Sequence, residues 1–416
     1  MVSASWINRS VLGIVLATFF SDVSHEMCTA VLPLYLATLG LGPAALGLME
    51  GLADFLVSLS KLAGGFVGHH TDRKRPLASL GYLTTALATW AIGFAASVTA
   101  LVSLRSLAWI GRGFRGPLRD DLLADAVEPT HYGRAYGLER AGDMLGAVLG
   151  PLIAALLIWE GIEFRTVILW TLIPGLLAAG SIFFLTKERA REQSDATHQP
   201  GAESDARLGN RPGLSAFPRS FWILLVGVSL FGLGDFSRTF LIWVAARHFD
   251  GSMTNQAATL SGGTLSTAVL LYALHNLVSA AVAYPVGHWG DRGSKLHILL
   301  WGYGLGVVTN LLLAFAGGLT GGILTVMLLS GCYIAVEETL EKAVAAELLP
   351  RAMRSLGFGL LACANAVGDM LSSLSVGYLL ETQRATVAFG AAAAVGMIGL
   401  LWLLAMRGRI TPAGAL

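Results

Sequence analysis

Twelve apolar stretches, each about as long as a bilayer is thick, run through this 416-residue chain, and no other feature limits its fold as strongly. They lie at about 10–38, 44–67, 77–96, 99–122, 138–159, 165–185, 221–246, 264–287, 297–316, 322–346, 356–380 and 385–406. A helix that crosses the hydrocarbon core needs about 20 apolar residues. Within lipid the backbone must satisfy its own hydrogen bonds, so such runs fold as helices and the expected class is all-α and polytopic. With 54% apolar and only 13% charged residues, the chain has about half the charge of a soluble domain. That leaves too little polar surface for a water-soluble enzyme or a nucleic-acid binder. The formal net charge of +1 says nothing about partners. The first run follows Arg9, but it is too long for a signal peptide, contains Asp22 and Glu26, and lacks a small-x-small cleavage site, so it reads as an uncleaved helix. Cys28, Cys332 and Cys363 sit inside apolar runs without CxxC or Cys/His spacing, and neither a disulfide framework nor a zinc site is expected.

Residues 186–219 are polar, contain Pro, Gly and Ser, and have no hydrophobic periodicity. They read as a linker between a six-helix half at 1–185 and a second at 220–416. Lys and Arg near helix ends resist translocation. If the N-terminus is cytoplasmic, that side collects seventeen of them, including Arg9, Arg73, Lys74, Arg75, Arg134, Arg292, Lys295, Arg354 and Arg407, while the other side holds only Arg165, Arg247 and Arg384. Both termini and the linker are therefore expected in the cytoplasm of a cell (inner) membrane protein.

The halves repeat. Gly68-x-x-x-Asp72-Arg73 follows the second run and Gly287-x-x-x-Asp291-Arg292 follows the eighth. Asp22-Val23-Ser24-His25 in the first run is echoed by Asp235-Phe236-Ser237-Arg238 in the seventh, and Gly142-Asp143-Met144-Leu145 by Gly368-Asp369-Met370-Leu371. Three matches in the same order indicate duplication, and repeated halves are a transporter architecture with the site at their interface. With its paired Gly-x-x-x-Asp-Arg loops and its central polar stretch, the chain resembles the major facilitator superfamily over nearly its whole length. Lys74 and Arg75 follow Arg73 directly, where the family pattern has a glycine two residues on. The fifth run carries Gly142-x-x-x-Gly146-x-x-x-Gly150-Pro151, similar to the motif of that superfamily's drug/proton antiporters, with Ala154-Ala155 in place of the customary glycine pair. The resemblance implies proton-coupled export, with Gly68, Asp72, Arg73, Gly287, Asp291, Arg292, Gly146, Gly150 and Pro151 serving the conformational gate.

Charges within the spans mark the candidate site, because a lipid-facing charge at mid-bilayer costs roughly 2.5–3.5 kcal/mol even on the lenient insertion scale. The basic ones are Lys61, Arg105, Arg112, Arg115, Arg119, Arg140, Arg238 and Lys342; acidic companions include Asp22, Glu26, Asp120, Asp143, Asp235, Glu337, Glu338, Glu341 and Asp369. In the fourth run Arg105, Arg112, Arg115 and Arg119 form one stripe about 20 Å long. It either lines a cavity against an anionic or polar solute, or ends in a rim cluster with Asp120 and Asp121. In the tenth run Glu337, Glu338 and Glu341 share a face. They either form an acidic wall opposite the arginines, with Arg115 meeting Glu337, or make static bridges between the halves. Asp22, His25 and Glu26 lie on one face of the first helix and suit proton transfer, pairing with Arg238 or another arginine, or ligation of a divalent ion. His69-His70 reads as a solvated pair, and His275 as a packed histidine more readily than a ligand.

The sequence thus describes an alternating-access exporter of a small organic, possibly anionic, solute or drug in exchange for protons. Arg105, Arg112, Arg115, Arg238, Glu337, Glu338 and Glu341 would bind the solute, and Asp22, Glu26 and Asp235 would carry protons. No resident metal or other cofactor is expected, nor a nucleic-acid partner; the chain would work as a monomer in the bilayer. The alternative is a divalent-metal exporter using the carboxylates of the first and tenth helices. No Walker-type loop, His/Glu zinc motif or Gly-x-Ser-x-Gly elbow points to ATP drive or an enzyme.

Overall fold

The computed structural model describes residues 6–38, 43–188, 214–245, 248–249, 267–382 and 384–410. Most of the expected linker, 189–213, lies outside the described residues. All regular structure among the described residues is helical, and the helices follow the apolar runs: α1 (Arg9–Thr38), α2 (Pro43–His70), α3 (Lys74–Ala91), α4 (Val98–Ala126), α5 (Tyr132–Trp159), α6 (Phe164–Trp170 and Leu172–Leu185), α7 (Arg219–Gly232 and Thr239–Ala245), α8 (Thr267–Arg292), α9 (Lys295–Ala316), α10 (Thr320–Leu348), α11 (Arg354–Glu381) and α12 (Ala385–Met406). These twelve membrane helices form two pseudo-symmetric halves of six. Among the described residues, nine helices are long and apolar enough to cross a membrane on length and composition alone. The other three are α2, α4 and α7. Arginines and aspartates dilute α4, which must therefore turn inward, and α7 is broken.

The sequence reads 221–246 as one apolar run, but the helix stops after Gly232 and resumes at Thr239. Gly234 lies so close to α12 that an added Cβ would stand 2.4 Å from the Ala392 carbonyl. The backbone groups freed by the break find other partners: the Gly234 carbonyl accepts from Asn310 Nδ2 at 3.2 Å and the Ser237 amide donates to Ser373 Oγ at 2.9 Å. A helix can be interrupted at membrane depth only where such substitutes exist.

Large apolar side chains such as Trp301, Phe315 and Phe184 face outward, as on a surface that contacts lipid. Small residues let the helices approach closely at four seams. Within the first half, Gly142, Gly146 and Gly150 of α5 press on α1, where Cβ atoms at Gly146 and Gly150 would stand 2.5 Å from the Phe19 carbonyl and 2.8 Å from the Val23 carbonyl. The other three seams involve α2, α8 and their neighbours: Gly64 and Gly113 join α2 to α4, Gly133 meets Gly287 across α5 and α8, and Gly65 and Gly68 meet Gly359 and Ser355 across α2 and α11. The last two seams join the halves at the end where α1 begins and α12 finishes.

Candidate functional site

A cavity of about 260 Å³ lies between the halves. Its wall carries seven basic and eight acidic side chains, nearly balanced in number, so what matters is which of them pair. From the first half come Asp22 (α1), Lys61 (α2), Arg112, Arg115, Arg119 and Asp120 (α4), and Arg140 and Asp143 (α5). The second half supplies Asp235 and Arg238 (α7), Glu337, Glu338, Glu341 and Lys342 (α10), and Asp369 (α11).

In the first half, Arg112 Nη1 lies 2.7 Å from Asp22 Oδ1. Asp22 and Asp143 both line the cavity, on the α1 and α5 sides of the glycine seam, where a Cβ at Gly146 would stand 2.9 Å from Asp22 Cβ. Arg140 Nη1 reaches Asp143 at 2.5 Å. Arg119 bridges Asp120 at 2.7 Å and Glu139 at 2.9 Å. Arg115 is buried, donates to Ser21 Oγ at 2.5 Å and stacks 3.7 Å above the Tyr82 ring. In the second half Glu338 is a hub, with Arg238 at 3.6 Å, Lys342 at 3.6 Å and, from across the interface, Arg140 at 3.8 Å. Lys342 also reaches across to Asp120 at 3.9 Å. Glu341 accepts from the Tyr303 hydroxyl and from Asn365 Nδ2.

Of the ten residues assigned from sequence to solute or proton, eight line the cavity: Asp22, Arg112, Arg115, Asp235, Arg238, Glu337, Glu338 and Glu341. Arg105 and Glu26 do not. Arg105 is packed about two helical turns from Arg112, with Nη2 3.3 Å from Thr29 Oγ1 and its guanidinium 5.4 Å from the Trp109 ring; the helical wheel gave its face correctly but not its depth. The expected meeting of Arg115 with Glu337 is not made. Arg112 pairs with Asp22 inside its own half, and the cross-interface ion contacts fall to Arg140 and Lys342. Arg238 likewise meets Glu338, not Asp22. The histidine reading for 69–70 needs correction too, since His69 is buried and its Nδ1 lies 2.8 Å from the Ala352 carbonyl. His275 is fully buried and stacked with Tyr272.

Lys61, Arg140, Lys342, Asp143 and Asp369 stand out in the sequence as charges within spans, but nothing in one dimension assigns them to this wall. Trp109 was missed altogether. It packs edge-on to His25 at 4.8 Å and lies 5.7 Å from Arg112, and its spacing of three residues from Arg112 and four from Arg105 was the available signal.

The loop pair after α2 and α8 is asymmetric. The Asp291 carboxylate accepts from the amides of Gly133 and Arg134 at 2.8 and 2.9 Å and from Arg134 Nε at 3.0 Å, so it caps the start of α5 from the other half. Asp72, Arg73 and Arg292 are exposed. On the α2 side, besides His69, Asp121 and Asp125 make cross-half contacts: Ser355 donates to Asp121, while Arg354 and Arg351 approach Asp125 at 3.4 and 3.7 Å. Gly68 and Gly287 sit at these seams; Gly146 and Gly150 serve the α1–α5 seam, and Pro151 lies within α5 beside it.

The family model of the Major Facilitator Superfamily matches residues 14–274 and 250–414. An uncharacterized MFS-type transporter of Methanocaldococcus jannaschii is 26% identical over 390 residues, which cover 93% of this chain and 92% of that one. Multidrug resistance protein MdtG of Proteus mirabilis is 34% identical over 143 residues, 33% of this chain and 35% of its own. The crystal structure of the human organic anion transporter MFSD10 has the same fold, with a TM-score of 0.73 at 16% identity over 95% of this chain and 99% of that one.

Proposed function

The chain belongs to the major facilitator superfamily, and on that premise we propose that it exports a small organic anion in exchange for protons. It is a multi-pass membrane transporter; the solute, the coupling and the direction are the parts proposed. The observation that carries the reading is a set of buried donors without acceptors, namely Arg115 Nη1, Arg140 Nε, Arg238 Nε and Trp109 Nε1, all on residues that line the cavity. A buried donor left unpaired costs about 1–3 kcal/mol, and a solute bringing carboxylate oxygens would remove that cost at several of them together. Export rests on the α5 glycine series and on the similarity to a multidrug resistance protein.

Proton coupling rests on Asp22. It pairs with Arg112 and shares the cavity wall with the Asp143–Arg140 pair, so a change at either arginine bears on which carboxylate holds a proton. Glu338, Arg140 and Asp143 form one chain of contacts from the second half into the first, and the Asp22–Arg112 pair lies beside it on the same cavity wall. Rocking of 1–185 against 220–416 would part Arg140 from Glu338 and so alter what Asp143 and Asp22 hold. In this reading the termini and the linker are cytoplasmic, and the α5–α8 and α2–α11 seams close the cytoplasmic face.

The divalent-metal alternative needs Asp22, His25 and Glu26 turned on one ion. Asp22 instead pairs with Arg112 and His25 packs on Trp109, so no observation favours it. A thermal-shift screen of the purified protein against organic anions, organic cations and divalent metals tests the proposal. Organic anions should stabilise the parent and lose most of that effect in Arg115→Gln. Stabilisation by metals or organic cations alone would contradict it.

A further inference from the structure

We infer that the solute is a zwitterion, which places an anionic group against the wall built by α4 and α5 and an ammonium group against the wall built by α7, α10 and α11. This rests on the reading that the central cavity carries an organic anion and goes beyond it by adding the second charge. The basis is how unevenly the cavity's bases are shared. Asp22 has Arg112, Asp143 has Arg140, Asp120 has Arg119 and Lys342, and Glu338 alone draws three bases. Among the described residues, no base lies within ion-pair distance of Asp235, Glu337, Glu341 or Asp369. Glu337 shares the cavity wall with four other carboxylates, those of Asp235, Glu338, Glu341 and Asp369. That wall sets five acids, Asp235, Glu337, Glu338, Glu341 and Asp369, against two bases, Arg238 and Lys342, both engaged with Glu338; Lys61 of α2 has no carboxylate within that distance either. Glu341 is held by Tyr303 and Asn365, which leaves Asp235, Glu337 and Asp369 as the acids able to turn to a ligand.

The opposite wall has the complementary lack. Arg115 is 3% exposed, has no carboxylate within ion-pair distance, and keeps one guanidinium nitrogen without an acceptor. Arg140, 7% exposed, also keeps an unused donor. One molecule with a carboxylate at one end and an ammonium at the other would satisfy both walls at once. A monoanion would leave the acids of α7, α10 and α11 repelling one another across a space of low dielectric. A solute with an ammonium end also gives exchange a physical basis, because that end and protons compete for the same carboxylates, so the solute leaves as protons enter.

The test is equilibrium binding to the purified full-length protein of three probes with the same carbon chain: hexanoate, hexylamine and 6-aminohexanoate. The zwitterion should bind at least about tenfold more tightly than either singly charged probe, equivalent to ~1.4 kcal/mol. Glu337→Gln and Asp235→Asn should each erase the advantage of the zwitterion over hexanoate. Arg115→Gln should weaken both carboxylate-bearing probes. If hexanoate binds the parent as tightly as 6-aminohexanoate does, the zwitterion inference falls and the anion reading stands. If neither carboxylate-bearing probe binds, or hexylamine binds best, both fall. The parent comparison decides this even if a variant fails to fold.

Discussion

Glu337 and Glu338 are neighbours on one helix in opposite situations. Glu338 holds Arg140, Arg238 and Lys342 together, whereas Glu337 has no base within ion-pair distance among the described residues and shares its wall with Asp235, Glu341 and Asp369. Removing the charge of Glu338 strands three bases; removing that of Glu337 relieves repulsion. Glu338→Gln is therefore expected to lower the thermal unfolding midpoint clearly, and Glu337→Gln to leave it level or raise it, both measured in the same detergent. Equal losses would show that the two acids share one environment. Asp22 is the second residue on which much depends. It is buried against Arg112 at 2.7 Å, and breaking a buried pair by removing one partner costs about 3–5 kcal/mol. Asp22→Asn should lose stability on that order and abolish coupled transport. A variant with the parent's midpoint in a chemical unfolding series would show that the pair contributes nothing.

At the scale of helices, the α5 glycines matter for how close they let α1 come. A Cβ at Gly146 would meet the Phe19 carbonyl at 2.5 Å and Asp22 Cβ at 2.9 Å; backbone cannot yield cheaply, and overpacking costs about 1–3 kcal/mol. Gly146→Ala should lower stability by that amount and disturb proton coupling, while Gly390→Ala in α12, where nothing lies within 4 Å, should do neither. Thermal midpoints of the two variants, with flux measured alongside, check this. The sequence made the twelve helices legible because length and apolarity are local properties, and α1, α9 and α12 run almost as their apolar stretches suggest. The break in α7 was not legible, because apolar residues lie on both sides of it and its cause is the approach of α12 and the side chains of Asn310 and Ser373. Ion partners were equally hidden. A helical wheel places Arg115 and Arg112 on one face, but which carboxylate each meets depends on the depth and tilt of neighbouring helices. So eight cavity residues were identified while the Arg115–Glu337 pairing was wrong.

Across the whole molecule, the two seams that join the halves are not equivalent. The Asp291 side chain is wholly enclosed and ties the start of α5 to α8 through two amides and Arg134, with Lys295 at 3.2 Å; Asp72 is exposed. Asp291→Asn should thus favour opening at this end by about tenfold, the equivalent of ~1.4 kcal/mol of charge-assisted bonding, and slow turnover more than Asp72→Asn does. Labelling of a cysteine introduced at the α5–α8 seam would report it, and equal labelling in both variants would make the seams interchangeable. The central claim, that one charged cavity exchanges an organic anion for protons, is tested most directly by flux in proteoliposomes loaded with a radiolabelled organic anion and given a pH gradient of either sign. Efflux should accelerate when the outside is acidic, slow when the gradient is reversed, and ignore the gradient in Asp22→Asn. Efflux by the parent that is indifferent to the gradient, or that follows only sodium, would contradict the account.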